Sequence, residues 1–375
     1  MLTEHFHNTQ KDTGHYSNDL RYVLSLQNTI AAFEEIKTWE GYAKTPLHSL
    51  DSLASDIGVK NIYYKDESSR FGLGSFKALG GTYGVLKFIH HALKKEIGDE
   101  VSMKDIHAGK YSEQISKYTV TTATDGNHGR SVAFGAKLFG CKCQIYIHSE
   151  VSSGRQKAME DLEATVNRVS GNYDESLQIC IEDAGKNNWH VISDTSYEGY
   201  TKYPRYIMAG YNVMAEEIID QIKDRPLPTH VFLQGGVGSF PGAICGYFWE
   251  KFPGNNIKFV VVESEHAPCL IRSAQNNQMT SVSIKQETMM AGLSCGEPSL
   301  LGWEILKSGT DDFITINDSS IPGLMRLLAK NNLKIEAGES SVAGLAGLIE
   351  SMKDQKIADA MELNKESIVL LFGTE

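Results

Sequence analysis

The sequence predicts an α/β protein whose sheets are mostly parallel. Two observations carry this: short apolar runs alternate with helix-length amphipathic stretches, and the turns that follow several of these runs are rich in glycine and polar residues. At 375 residues the chain exceeds one ordinary core and calls for about two domains. Residues 1–84 with 205–375 are expected to form a large domain, and residues 85–204 a small, mobile one.

Residues 1–43 are mixed polar and aromatic, with one helix expected near Leu26 to Trp39. Ile62 to Glu67 is β-branched and aromatic and reads as a strand. Leu79, Tyr83, Leu86, Ile89 and Leu93 recur at spacings of three or four, which predicts a helix with one buried stripe. Strands are then expected at 118–123, 144–148, 166–169 and 190–194, with helices between them. Further strands are expected at 229–234, 257–263 and 367–372.

A net charge of −11 argues against nucleic acid or an anionic membrane surface as partner, since both select clustered Lys and Arg. Six cysteines show no C-x-x-C pair and form no disulfide framework, so no metal site is expected and a reducing compartment is. Cys269 and Cys295 fall in segments that read as loops, where a redox-sensitive pair could form. The first residues lack the basic start and apolar core of a signal peptide, and no apolar run reaches the ~18–20 residues of a membrane span. A cytoplasmic protein is expected.

Three stretches carry chemistry. In Arg70-Phe-Gly-Leu-Gly-Ser-Phe-Lys-Ala-Leu-Gly-Gly81, a lysine sits among glycines at the start of a helix. A desolvated lysine loses its proton and becomes nucleophilic, as Schiff-base chemistry requires. Gln234-Gly-Gly-Val-Gly-Ser-Phe240 follows an apolar strand and opens a helix, so that successive backbone amides and the helix N-terminus can meet an anion. It has neither the Gly-Lys-Ser/Thr of a Walker loop nor the spaced glycines of a dinucleotide fold. Thr124-Asp-Gly-Asn-His-Gly129 is a polar turn opening another helix, where Asn127 could bond a ring oxygen and the amides of 126–128 a carboxylate.

A lysine, an anion-cradling glycine loop and a polar turn are the parts of a pyridoxal-phosphate site. The chain resembles the fold-type-II pyridoxal-phosphate enzymes and, within them, the diaminopropionate ammonia-lyases. The resemblance runs from about residue 45 onward, through Lys65–Gly81, Thr122–Arg130, Ser193–Pro204, Met290–Pro298 and Glu336–Gly344. It implies two domains, each with a mostly parallel sheet flanked by helices, and pyridoxal 5'-phosphate in the cleft between them. It makes Lys77 the Schiff-base lysine, and Gly235, Gly236, Val237, Gly238 and Ser239 the phosphate loop. Asn127 becomes the partner of the ring hydroxyl, and Thr374 the hydroxyl facing the pyridine nitrogen. Asp125 stands where dehydratases of this fold carry a small neutral residue, and it is expected to act as acid/base on the face opposite Lys77.

Ser75, Thr124, Gly126 and His128 are expected to meet the substrate, and Asp194 to pair with its distal ammonium. The implied reaction is the α,β-elimination of 2,3-diaminopropionate, of the L and also the D isomer, to pyruvate and two ammonia by a carbon–nitrogen lyase. The alternatives are a serine/threonine or hydroxyaspartate dehydratase of the same fold and a non-catalytic relative that binds the cofactor. A homodimer acting on a small amino acid is expected. The family continues past the Thr-Glu pair at which this sequence stops, so Thr374 is expected to be loosely held.

Overall fold

A computed structural model describes residues 1–12, 14–124, 126–171, 173–330 and 334–375. Eleven strands occur among them: β1 (Leu2–His7), β2 (Leu47–Ser49), β3 (Asn61–Asp66), β4 (Thr119–Ala123), β5 (Lys142–Ile147), β6 (Thr165–Arg168), β7 (His190–Val191), β8 (His230–Gln234), β9 (Lys258–Ser264), β10 (Asp312–Ile316) and β11 (Ile368–Gly373). The described residues form two compact units. The first comprises Met1–Phe76, Thr195–Gly199 and Tyr211–Glu375, and the second Lys77–Asp194 and Tyr200–Gly210. The chain therefore divides just before Lys77, where the pattern of elements suggests 84/85. The helix Lys77–Ile97 stays whole within one unit.

The first unit is built on a seven-stranded sheet in the order β1-β10-β9-β8-β11-β3-β2. Its five central strands are parallel, and the edge strands β1 and β2 run antiparallel to their neighbours. Ile62, Val260, Val262, Ile314, Val369 and Leu371 join Leu345 and Leu348 of the helix Ala343–Lys353 in one buried cluster. Strands covered on both faces read as continuous apolar runs, which is why β8, β9 and β11 are legible in the sequence. β1, β2 and β10 are not among the expected strands. β1 alternates polar residues along an edge, and its His5 and His7 both reach Asp312 Oδ1 of β10, at 2.8 and 2.9 Å. That pairing exists only after folding.

The second unit holds a parallel sheet in the order β6-β5-β4-β7. The helix Asn127–Phe139 connects β4 to β5 and packs on the helix Lys77–Ile97. Gly81 permits the approach: a Cβ there would lie 2.3 Å from Ser131 Oγ. In its place Ser131 Oγ donates to the Lys77 carbonyl at 2.6 Å and accepts from Thr82 N at 3.1 Å. Cys269 is buried at the start of the helix Cys269–Asn276, not in a loop, and no disulfide joins any of the six cysteines. No helix among the described residues is long and apolar enough to cross a membrane.

Candidate active site

In the first unit the strand order reverses between β8 and β11. The outside of the carboxyl ends at such a switch point is where open parallel sheets bind ligands. The glycine loop leaves β8 there, and Thr374 follows β11. Gly236 and Gly238 adopt φ of 59° and 97°, the left-handed region that favours glycine. A Cβ on Gly235 would come within 2.6 Å of Glu263 Cγ, and one on Gly236 within 3.3 Å of the Gly292 carbonyl. The loop can therefore offer an anion little but backbone, and Ser239 opens the helix Ser239–Lys251 directly behind it. Ser299 N bonds the Val237 carbonyl at 2.7 Å and fixes the middle of the loop. A phosphate fits this cradle.

Thr374 is buried rather than loosely held. Its carbonyl accepts from Phe76 N at 3.1 Å, and its hydroxyl lies 3.4 Å from Ser341 Oγ. Gln234 Nε2 donates to the Phe372 carbonyl at 2.6 Å and ties the end of β8 to that of β11. Ser75 is buried in the same unit.

The loop from Asp66 to Phe76 is anchored by four buried charges, Lys65, Glu67, Arg70 and Glu217, whose pairing the sequence does not display. Arg70 Nε and Nη2 donate to Glu67 at 2.8 and 2.9 Å, and Nη1 and Nη2 donate to the two oxygens of Glu217, both at 2.8 Å. Lys65 Nζ donates to Glu217 Oε2 at 2.7 Å. Burial works to raise the Glu217 carboxyl, but Arg70 and Lys65 outweigh it and hold the group well below the usual carboxylate range. Two cations and two anions balance, so the cluster carries no net charge.

In the second unit Lys77 opens its helix, and its Nζ lies 2.7 Å from Asp194 Oδ2. His128 Nε2 lies 2.8 Å from the Ile192 carbonyl, and since a carbonyl only accepts, Nε2 carries the hydrogen. His128 Nδ1 then faces Asp194 Oδ2 at 3.7 Å. Burial pulls His128 below its ordinary value, and the facing Asp194 offsets part of that. Burial pushes the Asp194 carboxyl up, yet His128, the Lys77 charge and the Lys77 hydrogen bond together hold it well below the usual carboxylate range.

Thr124 Oγ1 accepts from Gly126 N and Gly129 N, both at 3.2 Å, and shapes the turn before the helix that Asn127 opens. A side chain on Gly129 would strike Thr124 Cγ2 at 2.3 Å. Asp125 lies outside the described residues. The second unit thus brings Lys77, His128 and Asp194 together, with Thr124 and Gly126 in the adjoining turn, while the first assembles the glycine loop, Ser75 and Thr374. No group of three or more His, Cys, Asp or Glu among the described residues is arranged to hold a metal ion.

Comparison with known proteins agrees with this chemistry. The family model described as pyridoxal-phosphate dependent enzyme matches residues 38–373. The diaminopropionate ammonia-lyase of Escherichia coli (strain K12) is 37% identical over 343 residues, which span 89% of this chain and 85% of that protein. This chain belongs to the pyridoxal-phosphate dependent enzyme family, on its diaminopropionate ammonia-lyase branch. Its fold is type II, it is a lyase, and its cofactor is pyridoxal 5'-phosphate. Two crystal structures of the Escherichia coli lyase, one with an aminoacrylate-PLP azomethine reaction intermediate and one with D-serine, each superpose with a TM-score of 0.88 at 34% identity. They cover all of this chain and 94% of theirs.

Proposed function

We propose that this chain removes ammonia from 2,3-diaminopropionate by α,β-elimination, leaving pyruvate and a second ammonia. The observation that carries the reading is the Lys77–Asp194 pair: beside the family's reactive lysine stands a half-buried carboxylate, held well below the usual carboxylate range, that a distal ammonium can engage. Bound pyridoxal phosphate supplies an electron-withdrawing ring that acidifies the substrate's α-proton.

The chain's own residues do the rest. The amides of Gly235, Gly236, Val237 and Gly238, with Ser239, hold the phosphate; Asn127 meets the ring hydroxyl, and Thr374 presents a neutral hydroxyl to the pyridine nitrogen. Lys77 would hold the cofactor, and its amine takes the α-proton of one enantiomer. Asp125 takes that of the other from the opposite face. Thr124, Gly126, His128 and Ser75 are substrate-binding residues in this reading, and Asp194 exchanges its Lys77 contact for the substrate's distal ammonium. Ammonia then leaves Cβ, Lys77 or Asp125 supplying a proton where one is needed. We place the enzyme in the cytoplasm as a homodimer. The cysteine usage supports the first, and the prevalence of two-fold assemblies the second.

The test is pyruvate formation by the purified holoenzyme from L- and D-2,3-diaminopropionate, with L-serine, D-serine and L-threonine alongside. Wild type is expected to turn over both diaminopropionate isomers, Lys77→Ala neither, and Asp125→Asn only one. A hydroxy amino acid outperforming both isomers would replace this reading with the dehydratase one.

A further inference from the structure

Asp194 sits just past a stretch that no regular element holds, because β7 ends at Val191. Hydrogen bonds from Thr121, His128 and Tyr200 hold that stretch. Ile192 N donates to the Thr121 carbonyl of β4 at 2.9 Å, and His128 Nε2 to the Ile192 carbonyl at 2.8 Å. Tyr200 contributes two bonds through one atom: its hydroxyl donates to the Val191 carbonyl at 2.9 Å and accepts from Ser193 N at 2.9 Å. The residues between Asp194 and Tyr200, Thr195–Gly199, belong to the first unit, so Tyr200 is the first residue with which the chain re-enters the second. A single phenol oxygen therefore holds both ends of Val191–Ser193, the segment that leads into Asp194.

We infer that Tyr200 is a positioning residue that aims the Asp194 carboxylate, and that it thereby sets selectivity for diamino acids over their hydroxyl analogues. This rests on the reading that Asp194 receives the distal ammonium. A charge-assisted hydrogen bond is about twice as strong as a neutral one and depends on aim, so a carboxylate that swings loses an ammonium partner first. Serine carries a neutral hydroxyl at that position and has much less to lose. His128 cannot substitute for Tyr200 as the brace, because its one hydrogen at Nε2 is already given to Ile192.

The experiment compares holoenzyme wild type, Tyr200→Phe and Asp194→Asn. Phenylalanine keeps the ring and removes only the hydroxyl. KM for both diaminopropionate isomers is expected to rise about tenfold in Tyr200→Phe, the worth of one to two ordinary hydrogen bonds, while KM for D-serine stays within about twofold. Amide exchange at Ser193 should accelerate, with exchange at Val261 in β9 unchanged as a control for the fold. Asp194→Asn should show the same selective loss. If Asp194→Asn affects diaminopropionate and D-serine alike, the Asp194 reading fails and takes this inference with it. If Asp194→Asn is selective but Tyr200→Phe shifts both substrates equally, shifts neither, or leaves Ser193 exchange untouched, the inference about Tyr200 alone is overturned.

Discussion

Glu263 offers the sharpest test of how the phosphate loop is supported. It lies near the end of β9, fully buried, with its side chain packed against Gly235. Its two oxygens accept from Leu270 N at 2.8 Å and Ile271 N at 2.7 Å. Burial raises its carboxyl from an ordinary 4.5 to about 8; the two amides, the Cys269 thiol and the more distant Arg272 offset only part of that. Between those values the folded protein keeps a proton that the unfolded chain has released. Stability is therefore highest below the lower value, falls as pH rises through the window, and levels off above about 8. Each pH step of one costs about 1.4 kcal/mol, which sums to roughly 5 kcal/mol over the whole window.

Glu263→Gln cannot titrate. It also loses one of the two amide bonds, since an amide nitrogen does not accept, which adds a constant offset of about 1–3 kcal/mol. Urea denaturation of both proteins at several pH values from 5.5 to 8.5 should give a difference curve that closes by about 1.4 kcal/mol per pH step, the wild type losing its advantage as pH rises. Parallel curves, or a wild type that gains stability relative to the variant with rising pH, would refute the claim that this carboxylate is buried as a neutral acid.

Two further outcomes follow from the same unit. Arg70→Met leaves Lys65 as the cluster's remaining cation against Glu67 and Glu217 and should cost about 3–5 kcal/mol in urea denaturation, because removing one member of a buried ion cluster strands the others. A loss below about 1 kcal/mol would show that the cluster relaxes or hydrates. Gly235→Ala forces a Cβ against Glu263 Cγ and should weaken pyridoxal-phosphate binding about tenfold, a change of about 1.4 kcal/mol, in a fluorescence titration of the apoprotein. Gly154→Ala, where a Cβ meets nothing within 4 Å, should leave binding unchanged.

The sequence alone determined what is local or carried by composition. The apolar runs of β8, β9 and β11 are readable because both faces of those strands are buried. The Gly235–Ser239 loop is readable because left-handed turns leave a glycine imprint, and Lys77 because a lysine among glycines at a helix start is out of place without a chemical task. Only the tertiary structure decided which distant residues meet. Ser341 reaches Thr374 and Arg70 reaches Glu217 across long stretches of chain, and Tyr200 braces the segment before Asp194 across a loop that belongs to the other unit. The edge pairing of β1 with β10 and the burial of Glu263 beneath Gly235 are of the same kind. A polar side chain reads the same in sequence whether it faces water or a partner. Its charge and its role are set by desolvation and by neighbours that only the folded chain assembles.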